Sequence, residues 1–171
     1  PPVNVGVSEE HRGFDGTLYV SPDTFRSYVG DILESASRYF DNAVVVNGHG
    51  GNIDALDEVC ARLYRDDTIF ATEWTWWNAL SLNADMGHAG ELETSLVMYL
   101  EPDTVDEADE AGVESWGEFV NSAPVAYDTD EFTQNGVVGD PRQATAEKGE
   151  RIFEDSVANL VELVEWVDEN R

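Results

Sequence analysis

The chain has 171 residues, of which 36 are Asp or Glu and 9 are Lys or Arg, so its formal net charge is −27. This balance excludes the basic face that nucleic-acid binding requires, and we predict no nucleic-acid partner. Disorder is the first alternative for so acidic a chain, but 42% hydrophobic content and five tryptophans indicate a packed interior. The length predicts a single domain over residues 1–171.

The acidic residues are scattered along helix-like segments, which predicts an acidic, solvated surface. This composition is typical of proteins from a high-salt cytoplasm, where screening removes most of the self-repulsion, and it resembles that of haloarchaeal proteins. The single cysteine, Cys60, excludes an internal disulfide framework and is interpreted as a small core residue. No apolar run reaches the roughly 18 residues of a membrane helix. We therefore predict a soluble, cytoplasmic protein with no membrane partner.

The first part of the chain predicts a strand, a helix and a second strand. Val3–Val7 alternates apolar with small or polar residues, as a strand does. Ser21 as a cap and Pro22 at the first helical position predict a helix start. Ala43–Val46 predicts a short buried strand. The helix between them has an amphipathic stripe. This stripe consists of Phe25, Tyr28, Val29, Ile32, Leu33, Ala36, Tyr39 and Phe40.

The same alternation continues through most of the remaining chain. The patterns predict a helix over residues 53–63, a strand over 68–72, a helix over 91–100 and a last helix from 145 or 146 onward. The apolar stripe of the last helix runs from Phe153 to Val167. Between Asp103 and Asp140 the periodicity is weak. Strands that alternate with helices of this length imply an α/β protein with a parallel sheet.

The three histidines, His11, His49 and His88, each lie in a glycine-containing turn next to acidic residues. A histidine used for packing lies more often inside a helix or strand, so these positions favour a shared site over three unrelated surface residues. His49 follows the predicted strand Ala43–Val46, at the sheet edge where α/β proteins place ligands. We expect His49 and His88 to converge, with a carboxylate, on a single cavity.

His88 and Glu91 are three residues apart, a spacing that puts both side chains on one face of a helical turn. A histidine and a carboxylate suit Zn²⁺, Mn²⁺ or Fe²⁺. Glu93 points elsewhere in an ideal helix. The alternative is that Glu91 and Glu93 only favour the positive N-terminal end of their helix.

Two further motifs allow more than one interpretation. Trp74, Trp76 and Trp77 either wall a pocket for a small polar ligand or serve as core and subunit contacts. The turn Gly48–Gly51 precedes a predicted helix and is a weak candidate for phosphate binding. It lacks both the GxGxxG spacing and the lysine of a P-loop.

Four blocks occur in order along nearly the whole chain: Gly6–His11, Asn47–Asn52, Asp85–Ser95 and Gly136–Gly149. Together they resemble the creatininase (creatinine amidohydrolase) family, in its Asn-Gly-His-Gly-Gly-Asn branch. The resemblance implies a three-layer α/β/α fold with a mainly parallel central sheet. It also implies a metal-dependent hydrolase of C–N bonds in small cyclic or formyl amides, with one or two divalent ions (Zn, Mn or Fe) and a hexameric assembly.

The resemblance also implies a role for each candidate residue. His49 matches a metal-binding histidine, and we infer that Glu91 supplies the carboxylate that creatininase proper has at the position of Gly51. His88 matches the histidine that protonates the leaving nitrogen, and Glu93 matches a glutamate near the site. The implied substrate-binding residues are Ser8, His11, Trp74 and Asp85.

Known family members also carry an N-terminal strand and loop with a Glu-x-His pair and a later Asp, which supply the other metal ligands. No such set precedes Val3, so we expect an N-terminally truncated domain with a partial metal site. Two alternatives stay open beside hydrolysis of a cyclic amide by metal-activated water. One is a non-catalytic or assembly domain that keeps the fold. The other is a formamide hydrolase of flavin or deazaflavin precursor synthesis.

Overall fold

A computed structural model describes residues 1–80, 86–105 and 110–171 of the chain. The chain divides into two compact units. The first consists of Pro1–Glu9, Leu18–Ala79 and Ala158–Arg171, and the second of Glu10–Thr17 and Leu80–Val157. The single domain expected from the length stays a prediction.

The first helix, α1 (Pro22–Ala36), begins where its sequence predicts. The backbone N–H of Thr24 donates to the Ser21 hydroxyl over 3.3 Å, so one of the unpaired donors of the first turn is satisfied. Pro22 costs nothing at the first position, since its missing N–H would have no helical partner there. Phe25, Val29 and Leu33 of the predicted stripe lie on the buried face of α1. Tyr28 is 53% exposed, and Tyr39 and Phe40 lie beyond the end of the helix with 80% and 65% exposure, so the stripe is shorter than its sequence pattern predicts.

Strand β1 (Asn42–Asn47), helix α2 (Ile53–Arg65) and strand β2 (Phe70–Thr75) form a parallel βαβ unit. The register pairs Asn42 with Phe70 and Asn47 with Thr75. The predicted α/β class with a parallel sheet is therefore confirmed. Val46 is 61% exposed, so β1 is less buried than its apolar sequence predicts.

The core of the first unit lies where α1, α2 and β2 pack together. Leu56 and Leu63 of α2 are 2% and 1% exposed. Cys60 belongs to the same cluster, as predicted. Burial, together with the carboxylates of Asp57 and Glu73, raises the pKa of the Cys60 thiol to about 11. The thiol is therefore protonated at neutral pH, which suits a packing residue rather than a nucleophile.

The second unit combines a helix, a small hairpin and the start of the last helix. Its elements are α3 (Glu91–Leu100), the antiparallel strands β3 (Phe119–Val120) and β4 (Ala123–Pro124), and α4 (Ala146–Asn170) as far as Val157. Isolated backbone bridges join Val138 to His88 and to Val113. Within the described ranges, no helix has the length and apolar character needed to cross a membrane.

Two elements differ from their sequence patterns. Val3–Val7 has no strand pairing in the described structure; instead Gly6 O accepts from Val20 N, and Val7 N donates to a side chain. Alternation alone does not make a strand when the backbone groups find other partners. In α4, Val157 and Val164 of the predicted stripe are 42% and 47% exposed.

The buried face of α4 is set by a close backbone approach in the second unit. A Cβ at Gly149 would lie 1.9 Å from the carbonyl oxygen of Ser95, so only glycine lets the two helices meet there. Ile152 and Ser156, three and seven residues further along, lie on the same helical face and are buried. Packing, rather than the apolar stripe, therefore decides which side of this helix faces inward.

We expect Leu63→Ala to lower the free energy of unfolding by about 2–5 kcal/mol, because the deletion leaves a cavity in a packed core. The matched control is Leu18→Ala, since Leu18 is 75% exposed. Its free energy of unfolding should change by less than about 0.5 kcal/mol. Urea denaturation followed by tryptophan fluorescence measures both, and equal losses in the two variants would contradict this core assignment.

Candidate functional site

The turn after β1 is organised by the buried side chain of Asn47, which is 4% exposed. Its amide nitrogen donates to His49 O and to Thr75 Oγ1, both over 3.0 Å. Its carbonyl oxygen accepts from His49 N and from Asn52 Nδ2, both over 3.2 Å. One side chain thus ties both strand ends to the backbone on either side of the His49 ring.

The His49 ring lies against the segment that precedes α1 in the first unit. His49 Nε2 is 2.6 Å from the carbonyl oxygen of Val7 and 3.1 Å from Ser8 Oγ. Val7 N donates to Asn52 Oδ1 over 2.9 Å, which holds this segment on the turn. At Gly6 a Cβ would lie 2.5 Å from the same Asn52 oxygen, so a larger residue there would displace the Asn52 side chain.

A cavity of about 820 Å³ adjoins this turn within the first unit. Apolar side chains of α1 and β1 line it, together with Ser8, Asn47, His49 and Asn52. A mostly apolar cavity with a few convergent polar groups is the usual form of a small-molecule site. The predicted substrate residue Ser8 and the predicted ligand His49 therefore line one cavity.

The Nε2 atom of His49 is engaged by the protein and is not placed as a metal ligand in the described structure. A carbonyl oxygen only accepts hydrogen bonds, so the 2.6 Å contact with Val7 O requires a hydrogen on His49 Nε2. A nitrogen that carries a hydrogen cannot bind a metal ion through the same position. In addition, residues 1–80, 86–105 and 110–171 contain no group of three or more His, Cys, Asp or Glu side chains that could hold an ion.

Glu91, the second predicted metal ligand, is held by a lysine. Lys148 Nζ lies 2.7 Å from Glu91 Oε1 and also donates to Gln143 O over 2.6 Å. Helix α3 begins at Glu91, so His88 lies outside the helix and the expected shared helical face does not form. Metal binding through Glu91 Oε1 would compete with this lysine.

In the second unit, the imidazoles of His11 and His88 stack on each other. Their ring centroids are 4.4 Å apart and the rings are inclined by 20°. Trp116 meets both rings edge-on, with centroid distances of 5.9 Å. The structure thus brings His11 and His88 into contact, and the expectation of a site shared by all three histidines stays a prediction. His49 belongs to the first unit, and its convergence with His88 on one cavity stays a prediction.

The carboxylate next to His88 is that of Glu93, which the ideal helix directs elsewhere. Glu93 Oε2 lies 3.8 Å from His88 Nδ1 and accepts from Ala89 N over 2.6 Å. Because the carboxylate reaches back to Ala89, two residues before the helix, it comes beside the imidazole. Gly87 permits this turn, since its φ is +62° and a Cβ would lie 2.2 Å from Val138 O.

Two predicted substrate-binding residues have other outcomes. Trp74 is 9% exposed, and its indole N–H donates to Asn159 Oδ1 over 2.8 Å within the first unit. These contacts match the packing interpretation of the tryptophan cluster, and its role in substrate binding stays a prediction. Asp85 lies outside the described residues.

Trp116 and Thr129 are contacts of the histidine pair that the sequence patterns do not reveal. Thr129 is fully buried, and its Oγ1 lies 3.1 Å from His11 Nδ1. Both residues fall between Asp103 and Asp140, where periodicity is weak. The available signals are an isolated tryptophan and the helix-cap sequence from Asp128 to Glu131.

These features define an α/β protein with a glycine turn and a histidine after a parallel strand in its first unit, and with imidazoles beside carboxylates in its second. The sequence profile of the creatininase family, which is described as creatinine amidohydrolase, matches residues 1–164. The chain belongs to the creatininase family.

Individual relatives agree with this assignment. The mycofactocin precursor peptide peptidase of Mycolicibacterium smegmatis is 33% identical over an alignment of 169 residues that covers 96% of this chain and 65% of that protein. The chain thus spans 65% of the length of this curated relative.

Solved structures have the same fold. A Bacteroides fragilis structure assigned to the creatinine amidohydrolases is 26% identical, with a TM-score of 0.78 over 95% of this chain and 69% of that one. The manganese form of creatininase is 23% identical, with a TM-score of 0.73 over 94% of this chain and 71% of that one. At this lower identity the likeness concerns the fold alone.

We expect Asn47→Ala to loosen the His49 turn, because His49 N and Thr75 Oγ1 lose a buried partner. A buried polar group left unpaired costs about 1–3 kcal/mol. Hydrogen exchange at the His49 amide, read by NMR, should accelerate by about ten-fold or more, since 1.4 kcal/mol is a factor of ten. The control is Asn4→Ala, at an exposed position of the same unit. Unchanged protection of the His49 amide in Asn47→Ala would show that other contacts hold the turn.

Proposed function

We propose that this chain carries an amidohydrolase site of the creatininase type, which hydrolyses a C–N bond in a small cyclic amide or a formamide. The observation that carries the proposal is the His88–Glu93 pair, in a family member whose profile match covers residues 1–164. An imidazole that is 34% exposed beside a carboxylate is a suitable proton donor and acceptor at neutral pH.

Hydrolysis adds water to the carbonyl carbon and breaks the C–N bond, so the leaving nitrogen must take up a proton. In this proposal His88 donates that proton from Nε2. The Glu93 carboxylate faces Nδ1, where it orients the ring and stabilises its protonated form. Such positioned proton transfer contributes typically 10²–10⁴-fold to an enzymatic rate.

Substrate binding in this proposal involves Ser8, His11, Trp74 and Asp85. Ser8 and His49 line the cavity of about 820 Å³ in the first unit, which is large enough for a small cyclic amide. The Ser8 hydroxyl both donates and accepts hydrogen bonds, as recognition of an amide requires.

The cofactor in this proposal is a divalent metal ion, Zn, Mn or Fe, with two ions in a complete site. His49 and Glu91 are the proposed ligands in this chain. Their imidazole and carboxylate chemistry suits these metals. In the described arrangement His49 Nε2 bonds to Val7 O, and Glu91 Oε1 accepts from Lys148. Divalent ions at such sites lower the pKa of bound water to about 7.

A second candidate is hydrolysis of a peptide bond in a precursor peptide. It is favoured by the 33% identity to a mycofactocin precursor peptide peptidase over 96% of this chain. The chemistry is the same, since a peptide bond is also a C–N amide. An assay also distinguishes two other candidate functions. One is a formamide hydrolase of flavin or deazaflavin precursor synthesis, and the other is a non-catalytic assembly domain.

For the whole protein we further propose a three-layer α/β/α domain with a mainly parallel central sheet, assembled as a homo-oligomer, with six subunits as the family resemblance implies. The net charge of −27 supports an acidic surface adapted to a high-salt cytoplasm. A single creatininase-like domain over residues 1–171 is the organisation that we infer for this chain.

We expect His88→Gln to lower kcat on the best amide substrate by about 10²–10⁴-fold with little change in KM, since it removes the proton donor. Glu93→Gln should lower kcat less, because it only disorients that donor. The matched control is Glu101→Gln, which changes an exposed glutamate at the end of the same helix.

The assay compares creatinine, a formamide and a short peptide as substrates, so the active class identifies the function. Turnover of the peptide alone supports the second candidate. Undiminished turnover in His88→Gln contradicts the assigned proton donor, and no turnover of any amide by the unchanged chain favours the assembly domain.

We expect His49→Ala and Glu91→Gln to reduce the content of Zn, Mn and Fe in protein purified without chelator, as measured by inductively coupled plasma mass spectrometry. Each substitution removes one proposed ligand, and loss of a ligand weakens metal binding. Glu101→Gln again serves as the matched control. Metal content that does not respond to either ligand substitution would count against this assignment.

A further inference from the structure

The proposed reaction uses one imidazole of the second unit, yet two are stacked there. The centroids of His11 and His88 are 4.4 Å apart, and the rings are inclined by only 20°. Two protonated imidazoles at this distance repel each other, whereas a protonated and a neutral ring do not. Protonation of one ring therefore depends on the state of the other.

The rings have little freedom to separate. His11 Nδ1 lies 3.1 Å from the hydroxyl of Thr129, which is fully buried. The backbone of His88 is fixed by a reciprocal pair of hydrogen bonds with Val138, of 2.9 and 2.8 Å. Trp116 meets both imidazoles edge-on and itself packs against Phe132, with a centroid distance of 5.4 Å.

Each ring also faces a carboxylate. Glu10 Oε1 lies 3.5 Å from His11 Nε2, and Glu93 Oε2 lies 3.8 Å from His88 Nδ1. Each carboxylate favours the protonated form of its own ring. These two contacts are similar in length, so they do not assign the proton to one histidine over the other.

The neighbouring charges are engaged with each other. Arg12, next to His11, pairs with Asp128 over 2.7 Å. Glu131, on the Thr129 turn, accepts from the backbone N–H groups of Asp128 and Tyr127, which lower its pKa. Asp130 of the same turn lies against Gly13, where a Cβ would meet its carboxylate. The histidine pair is thus the part of this cluster whose net charge can change by protonation near neutral pH.

We propose that His11 is a positioning residue for His88. At neutral pH the two stacked imidazoles together carry one positive charge, because only one of the two rings is protonated at a time. The pair binds its second proton only at a lower pH than its first. The two apparent pKa values therefore describe the pair and not the individual histidines. Its use in catalysis rests on the proposed function, because His11 then sets the pH range in which His88 donates a proton. The coupling itself does not depend on any activity.

The test is an NMR titration of the histidine Cε1–H signals in the unchanged chain, in His11→Gln and in His88→Gln, with KCl present to keep the chain folded. Each variant should show its remaining member of the pair titrating as a single group. In the unchanged chain, we expect the lower apparent pKa of the pair to lie about one unit or more below that of either variant. If the unchanged chain equals the sum of the two single titrations, the proposal is overturned.

Two further variants keep the test decisive. His11→Phe retains a ring in the stack and replaces His11→Gln if that variant loses its folded spectrum. Glu93→Gln should lower the pKa of His88, because it removes a carboxylate that favours the protonated ring, and should preserve the coupling between the rings. Removal of His11 should shift the pKa in the opposite direction, because it removes the repulsion between two protonated rings. If the unchanged chain hydrolyses no amide but His11 and His88 titrate as a coupled pair, only the proposed function is refuted. If it hydrolyses an amide but the two histidines titrate independently, only the shared proton is refuted.

Discussion

The buried amide of Asn47 is the interaction on which the first unit's candidate site depends. It lies at the end of β1, opposite Thr75 in the parallel register, and bonds to the backbone of His49 from both its oxygen and its nitrogen. A buried amide with all these partners keeps a unique geometry, because every alternative leaves a polar group unpaired in a region of low dielectric. The glycine turn can therefore stay open around the imidazole without losing its shape.

Neutral contacts of this kind matter more here than ion pairs do. The chain carries a net charge of −27, and its basic residues pair mostly at the surface, as Arg142 does with Asp140 and Arg151 with Glu147. Such exposed pairs contribute about 0–1 kcal/mol each, and salt screens them further. Burial of Leu63 and the hydrogen bonds of a neutral amide involve no ionised groups, so salt does not screen them in this way. The acidic surface thus governs solvation, while the apolar core and the buried hydrogen bonds specify the fold.

The site of the second unit follows from backbone constraints. Gly87, with its positive φ, and the bridge to Val138 bring His88 out ahead of α3, where Glu93 reaches back to the turn. In the same arrangement Glu91 forms an ion pair with Lys148, and the Glu93 carboxylate lies beside the His88 imidazole. The two carboxylates of one helical turn thus acquire different partners, which is the separation of roles that proton transfer and charge pairing require.

Much of this protein was predictable from local chemistry. The cap at Ser21, the valines of β1, the apolar face of α2 and the glycine-bracketed histidines depend on neighbours within a few residues, so their patterns are legible in one dimension. The family is likewise evident from motif order. Tertiary structure alone decided that Trp74 is buried against Asn159, that Glu93 rather than Glu91 faces His88, and that Trp116 and Thr129 enclose the histidine pair. These outcomes join residues up to 118 positions apart, and periodicity carries no information about which distant side chain fills the space beside a given one.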